Sequence, residues 1–490
     1  LSKLRELFSD TLIYGISSVF ARFINYLLVP LYTGIFDPEA YGIVGLVYAA
    51  IAFLNVIFTM GMESAYLRYA KDRDQASSFF KTLQLFLLGS SVLLVVIMWI
   101  IQPVFSPLLG IEQSSDIYLL MLGILLFDTL SIVPFAELRF VRKAVTFASL
   151  KTGNVLINIG LNFYLILVLD YGIEAVFISN FVASIVTALV IWLITIPQFS
   201  GKWNSDHLRT ALVFGLPFVP AGIGHVINEM LDRFFIKGMS PEAIETIYGA
   251  GISADYLVGI YNACYKLAVF MLLLVQMYRM AWQPFFMRQS DDADAPHLFA
   301  KAFSLFNFAA AIMVLFVALF VDHIVAIRIP FLNTTLIGEE YWVGLSIVPV
   351  LLFAYWFQGW YVNFSAGIFI KNKTKKLAQI TLIGASITVI ANLILIPFYG
   401  IMGSAIATLL SYFVMALLIY FYANRAMEIP YKKPQAVGVL TITALAIWSK
   451  PFLVDQKFSD IAASLLLFIA SVLLISVLSL RNIIGRRAQA

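Results

Sequence analysis

Apolar runs of about twenty residues recur along this chain between short polar connections, and no other feature restricts its folding so severely. Crossing about 30 Å of hydrocarbon takes roughly 20 mostly apolar residues in a helix. In lipid only helices and closed barrels satisfy every backbone polar group. Fourteen segments meet the length: 10–34, 43–66, 79–102, 116–138, 147–169, 173–196, 210–236, 257–282, 302–326, 342–369, 377–397, 401–423, 436–453 and 459–480. The longest connection, around 237–256, is too short for a soluble domain. Residues are 61% hydrophobic and 12% charged, where soluble domains run at about 45–50% and 25%. The predicted fold class is an all-α polytopic membrane protein with about 14 transmembrane helices. Leu1-Ser2-Lys3-Leu4-Arg5 leads straight into the first apolar run without a small-residue cleavage site, so a retained span is expected.

Lys and Arg gather on cytoplasmic connections. With the N-terminus inside, 25 of the 32 fall on inside connections, among them Arg68, Lys71, Arg73 and the Lys371–Lys376 group. Five fall outside (Arg233, Lys237, Arg328, Lys450, Lys457), and Arg22 and Lys266 lie within spans. This alternation predicts an even number of spans with both termini cytoplasmic. The single cysteine, Cys264, permits no intramolecular disulfide, and the four histidines form no metal-spaced cluster. No cofactor or metal is expected. The net charge is only +4, no phosphate-cradling glycine loop or catalytic constellation is visible, and neither nucleic-acid binding nor enzymatic chemistry is indicated.

The second half echoes the first. Gly42-Ile43, Tyr48, Phe53 and Met60 repeat as Gly259-Ile260, Tyr265, Phe270 and Met277 at a constant offset of 217. Lys143, Thr146 and Tyr171-Gly172-Ile173 repeat as Lys371, Thr374 and Tyr399-Gly400-Ile401 at an offset of 228. Equivalent spans start on the same side, which predicts a parallel repeat of two six-helix lobes. The expected organisation is an N-terminal lobe at 1–205, a C-terminal lobe at 206–430 and two extra C-terminal helices at 431–490.

The stretch Ile35-Phe36-Asp37-Pro38-Glu39-Ala40-Tyr41-Gly42-Ile43, followed by a span ending Gly61-Met62-Glu63-Ser64-Ala65-Tyr66-Leu67-Arg68-Tyr69, resembles the opening of the polysaccharide-transporter (O-antigen flippase) family. Gly259-Ile260-Tyr261-Asn262-Ala263-Cys264-Tyr265-Lys266 and Tyr399-Gly400-Ile401-Met402-Gly403-Ser404-Ala405-Ile406-Ala407 are similar to its later signatures. The resemblance implies two lobes around a central cavity that alternates between inward- and outward-facing states. It also implies movement of undecaprenyl-diphosphate-linked oligosaccharide across a bacterial or archaeal cytoplasmic (inner) membrane, alongside membrane lipids, a coupling ion such as proton or sodium, and polysaccharide polymerase machinery.

Ionisable groups inside spans are costly and usually face a cavity or a partner. Arg22 sits mid-span with Ser18, Asn25 and Tyr26 on one helical face, and Lys266 follows Asn262 by one turn with Gln276 further along. Either cation would compensate a diphosphate leaving water. Arg22 could instead pair structurally with Asp128, which is itself a candidate coupling-ion site. His225 and Glu229, one turn apart, could exchange protons, whereas Asp232 and Arg233 read as a solvated helix end. Asn55 and Glu63 lie on one polar stripe, with Glu63 a further coupling candidate. Trp356, Gln358 and Trp360 offer sugar-binding aromatics and amides, and Asn154, Asn158 and Asn162 read as a ladder joining helices. The rival functions are a cation-coupled multidrug exporter of the same fold and a membrane oligosaccharide polymerase or ligase. A drug-cation exporter would favour acidic cavity walls; a polymerase or ligase would carry a sizeable outer loop, and none is evident.

Overall fold

The structure is a computed structural model that describes residues 26, 28–70, 73–290, 292, 294–371, 373, 375–455 and 458–484. It is all-helical apart from one two-residue hairpin, Arg328–Ile329 (β1) against Thr334–Thr335 (β2). Among the described residues, eleven helices are long and apolar enough to cross a membrane. One of them, Lys375–Ala426, has 52 residues and is interrupted at Gly400 (φ 53°, ψ −132°), so it covers the two predicted spans 377–397 and 401–423. The helix Ile347–Ile370 takes the place predicted at 342–369. Most of predicted span 10–34 lies outside the described residues. The chain is a multi-pass membrane protein.

Contacts divide the chain into two compact units, one reaching to Gly259 and the other starting at Ile260. The first contains α1 (Leu28–Ile35), α2 (Pro38–Thr59), α3 (Met62–Tyr69), α4 (Arg73–Ile100), α5 (Gln102–Leu109), α6 (Ser115–Phe140), α7 (Ala144–Leu167), α8 (Glu174–Thr195), α9 (Ser205–Gly215), α10 (Phe218–Lys237), α11 (Pro241–Tyr248) and the first turn of α12 (Ala254–Arg288). Packing therefore draws its boundary some 54 residues beyond the 205/206 division that the internal repeat suggests. The reason is local, because α9 lies on α3 and α10 lies on α2.

Local chemistry explains the breaks. Asp37 caps α2 by accepting from the Ala40 N–H at 2.7 Å, and Pro38 supplies a ready-made first helical turn. Met60 and Gly61 both take positive φ, which splits predicted span 43–66 into α2 and α3. A Cβ on Gly61 would lie 2.7 Å from the Gly215 carbonyl oxygen, so glycine permits the approach of α9 as well as the turn.

Polar groups in this unit find one another. The Tyr32 hydroxyl donates to Asn162 Oδ1 at 2.8 Å, Asn162 Nδ2 donates to the Asn158 carbonyl at 2.8 Å, and Asn154 Nδ2 donates to Thr187 Oγ1 at 2.9 Å. The asparagine ladder thus ties α7 to α1 and α8. The buried Glu137 carboxylate accepts from the Tyr66 hydroxyl at 2.5 Å inside an aromatic shell of Phe80 and Phe140.

The second unit holds the rest of α12, α13 (Ala295–Leu319), α14 (Val321–Val325), α15 (Ile347–Ile370), α16 (Lys375–Ala426), α17 (Lys433–Asp455) and α18 (Asp460–Ile484). The final two helices pack on each other and on α13. Where α13 ends, its Leu319 carbonyl accepts from Lys450 Nζ at 2.9 Å and from Ser464 Oγ at 2.7 Å. A helix-end carbonyl is thereby satisfied, and the C-terminal pair is pinned to the bundle.

Candidate functional site

The first unit holds a partly open polar cavity of about 250 Å³. Its walls come from α2 and α3 (Asn55, Glu63), α6 (Asp128, Ser131), α7 (Lys151, Asn154) and α8 (Asn180, Ser184, Thr187), with Phe135 and Phe147 as its apolar part. Three residues singled out from sequence, Asn55, Glu63 and Asp128, meet here although 73 positions separate the first from the last.

Asp128 accepts from Ser184 Oγ at 2.7 Å, and Lys151 is a cation whose charge acts on it. The Lys151 ammonium sits 4.1 Å above the Phe135 ring, a cation–π contact that holds it beside the cavity. Glu63 is bridged by the Arg139 guanidinium, which also lies 5.8 Å from the Phe147 ring centroid. The Asn55 Oδ1 atom is buried without a hydrogen-bond partner among the described residues. Unsatisfied buried acceptors are uncommon and call for a water, an ion or a function. A carboxylate beside amide and hydroxyl oxygens is suited to holding a proton or a hard cation such as sodium.

Lys151, Asn180 and Ser184 were not identified from sequence as part of a site. Lys151 reads as one more inside cation, yet it precedes Asn154 by three residues and so shares the face of the asparagine ladder. That spacing was the available signal. Asn180 and Ser184, one turn apart on α8, carry no charge to draw attention.

Other candidates lie elsewhere. Arg22 and Asn25 fall outside the described residues. His225 is exposed on α10, and Glu229 is half-buried with its carbonyl accepting from Arg233 at 2.8 Å. Asp232 and Arg233 are not a solvated end: both are 2% exposed and paired at 2.6 Å. Burial within the unit demanded that each charge have a partner, and they supply one another.

In the second unit, Lys266 is half-buried on α12, one turn after the buried Asn262, and Gln276 is half-buried further along. Trp356, expected from sequence on a cavity wall, has no exposed surface and belongs to the core. Its indole N–H donates to Asn307 Oδ1 at 2.9 Å, and that of Trp360 donates to the same oxygen at 2.7 Å. Asn307, on α13, was not read from sequence. Gln358 Nε2 donates to the Tyr412 hydroxyl at 3.2 Å, joining α15 to α16.

The sequence profile of a family described as polysaccharide biosynthesis protein matches residues 33–330. No curated protein matches the sequence. Among solved structures, the lipid II flippase MurJ in an inward closed conformation is similar with a TM-score of 0.72 and 17% identity, over 96% of this chain and 100% of that one. A multidrug resistance MATE family transporter of the MOP superfamily is similar in its inward-facing conformation (TM-score 0.66, 16% identity, 82% of this chain and 94% of that one). A multidrug resistance MATE family transporter of the MOP superfamily in an outward-facing conformation has a TM-score of 0.59 at 16% identity, over 87% of this chain and 96% of that one. At such identities the likeness shows a shared fold.

Proposed function

Because this chain belongs to the polysaccharide biosynthesis protein family, we propose that it is a flippase that moves undecaprenyl-diphosphate-linked oligosaccharide across the cytoplasmic membrane by alternating access. The observation that carries this reading is the family match over residues 33–330, which contains every residue lining the polar cavity. A fold shared with transporters solved in inward- and outward-facing conformations supports the alternating cycle. Both termini are cytoplasmic in this reading, and the chain acts as a transporter without enzymatic chemistry.

Arg22 and Lys266 compensate the diphosphate as it leaves water. Trp360, Gln358, Asn262 and Gln276 contact sugar, and Asp128 with its surrounding oxygens exchanges the coupling ion. In liposomes, the purified protein is expected to move a fluorescent lipid-diphosphate sugar faster under a proton or sodium gradient. Arg22→Ala is expected to lower that rate at least about tenfold, a loss of about 1.4 kcal/mol of transition-state stabilisation, while remaining folded and inserted. Normal movement by Arg22→Ala would remove that residue from the cargo path.

A multidrug exporter is the second reading. It is favoured by acidic Asp128 and Glu63 on the cavity wall together with the fold shared with a multidrug resistance transporter. Efflux of a cationic dye by the same liposomes, with no movement of the lipid-linked sugar, would decide for it.

A further inference from the structure

Two copies of the repeated segment touch each other, and they do so symmetrically. A Cβ built on Gly42 would lie 2.1 Å from the carbonyl oxygen of Asp255, and one built on Gly259 would lie 1.8 Å from the carbonyl oxygen of Pro38. At the 217-residue offset Gly42 corresponds to Gly259 and Pro38 to Asp255. Each glycine therefore meets the backbone four residues before the other, as a twofold axis through the contact requires. All four residues belong to the first compact unit, at the beginnings of α2 and α12.

Two helix N-termini brought together place partial positive charges in proximity. Carboxylates attend them: Asp37 caps one, Glu39 lies in its first turn, and Asp255 lies in the first turn of the other. One polar latch crosses the seam, where Ser253 Oγ donates to Glu39 Oε1 at 2.5 Å, while Lys237 Nζ pairs with Asp255 Oδ2 at 2.6 Å on the α12 side. Small residues at a helix crossing let backbones approach within van der Waals contact. At the glycines themselves the contact is backbone against backbone, and the Glu39–Ser253 hydrogen bond across it is exposed.

We propose that the contact of Pro38 and Gly42 with Asp255 and Gly259 is a gate that closes the outer end of the transport path, with Glu39–Ser253 as its latch. The proposal rests on the alternating-access reading above. An element that opens and closes in a cycle has to be bistable, and a glycine seam held by one exposed side-chain latch suits that requirement.

The test uses the full chain with its buried cysteine removed (Cys264→Ala) and Glu39→Cys with Ser253→Cys. Spin labels on the two cysteines in liposomes are expected to show a short and a long distance population. In the same background, Gly42→Ala and Gly259→Ala are each expected to enlarge the long population. Gly89→Ala and Gly160→Ala, where an added Cβ meets nothing within 4 Å, are expected to leave it unchanged. Oxidation of the cysteine pair is expected to stop movement of the fluorescent lipid-diphosphate sugar, and reductant to restore it. A single short population with and without that probe overturns the gate, whatever the cargo is. Failure of both glycine variants to shift the distribution relative to the two controls overturns it as well. Two populations together with no movement of the probe by the wild type leave the gate standing and reject the cargo.

Discussion

At the 228-residue offset seen in the sequence, residues lining the cavity in the first unit align with residues of the aromatic cluster in the second, yet one is hollow and the other filled. Carried back along α6 and α15, the 228-residue offset pairs Asp128 with Trp356, Ser131 with Gly359, Ile132 with Trp360 and Ser184 with Tyr412. In the first copy a carboxylate and small hydroxyls leave about 250 Å³ of polar space. In the second, two indoles converge on Asn307, and Gly359 makes room for Phe306, whose ring carbon would lie 2.1 Å from an added Cβ. The difference teaches that side-chain volume decides whether buried polar groups keep space around them. Space is retained where a charge needs partners and is abolished where indole N–H groups can be satisfied by one amide.

Hollowing the filled copy is expected to have the largest effect. Trp356→Ala removes a fully buried indole and strands half of the Asn307 interaction, and a loss of about 3–5 kcal/mol is expected. Thermal unfolding in detergent would register it, and an unchanged midpoint would show that the aromatic cluster is not a stabilising core. Neutralising the hollow copy tests function more than stability. Asp128→Asn keeps the Ser184 hydrogen bond feasible, so stability is expected to change by less than about 1 kcal/mol. The acceleration of transport by an ion gradient is expected to vanish, and a gradient response equal to wild type would place coupling elsewhere. The smallest effect is expected at the cavity rim. Glu63 and Arg139 form a pair whose side chains are 45% and 41% exposed. Glu63→Gln is therefore expected to cost less than about 1 kcal/mol in unfolding measurements. A loss as large as that of Trp356→Ala would show that the rim, and not the aromatic copy, carries the stability.

Helices were legible in the sequence because the bilayer imposes both a length and a composition on each crossing. Predicted 116–138 is observed as Ser115–Phe140, and predicted 173–196 as Glu174–Thr195. Breaks within helices were less legible. The interruption at Met60 and Gly61 depends on a glycine pair with Gly215, a contact between segments distant in sequence. The break between predicted spans 377–397 and 401–423 falls at Gly400, whose φ of 53° favours glycine.

The candidate site shows the same division. In-span charges such as Asp128 and Glu63 announced themselves, because a carboxylate among apolar residues is too costly to be incidental. Their neighbours did not. Ser184, Asn180 and Asn307 are ordinary polar residues until packing places them opposite Asp128, Tyr48 and the two indoles. Asp232 and Arg233 look like a solvated helix end in sequence and are a buried pair in the fold.

By itself, then, the sequence determined the solvent this protein lives in and the approximate ends of most of its crossings. Hydropathy and spacing are local quantities and need no fold to be read. Only the tertiary structure decided which copy of the repeat stays open, which asparagine serves the tryptophans, and that Gly42 and Gly259 face each other's helix starts. Those outcomes depend on side-chain volume and hydrogen-bond partners brought from distant positions, and a sequence specifies such meetings only through the packing of the whole unit.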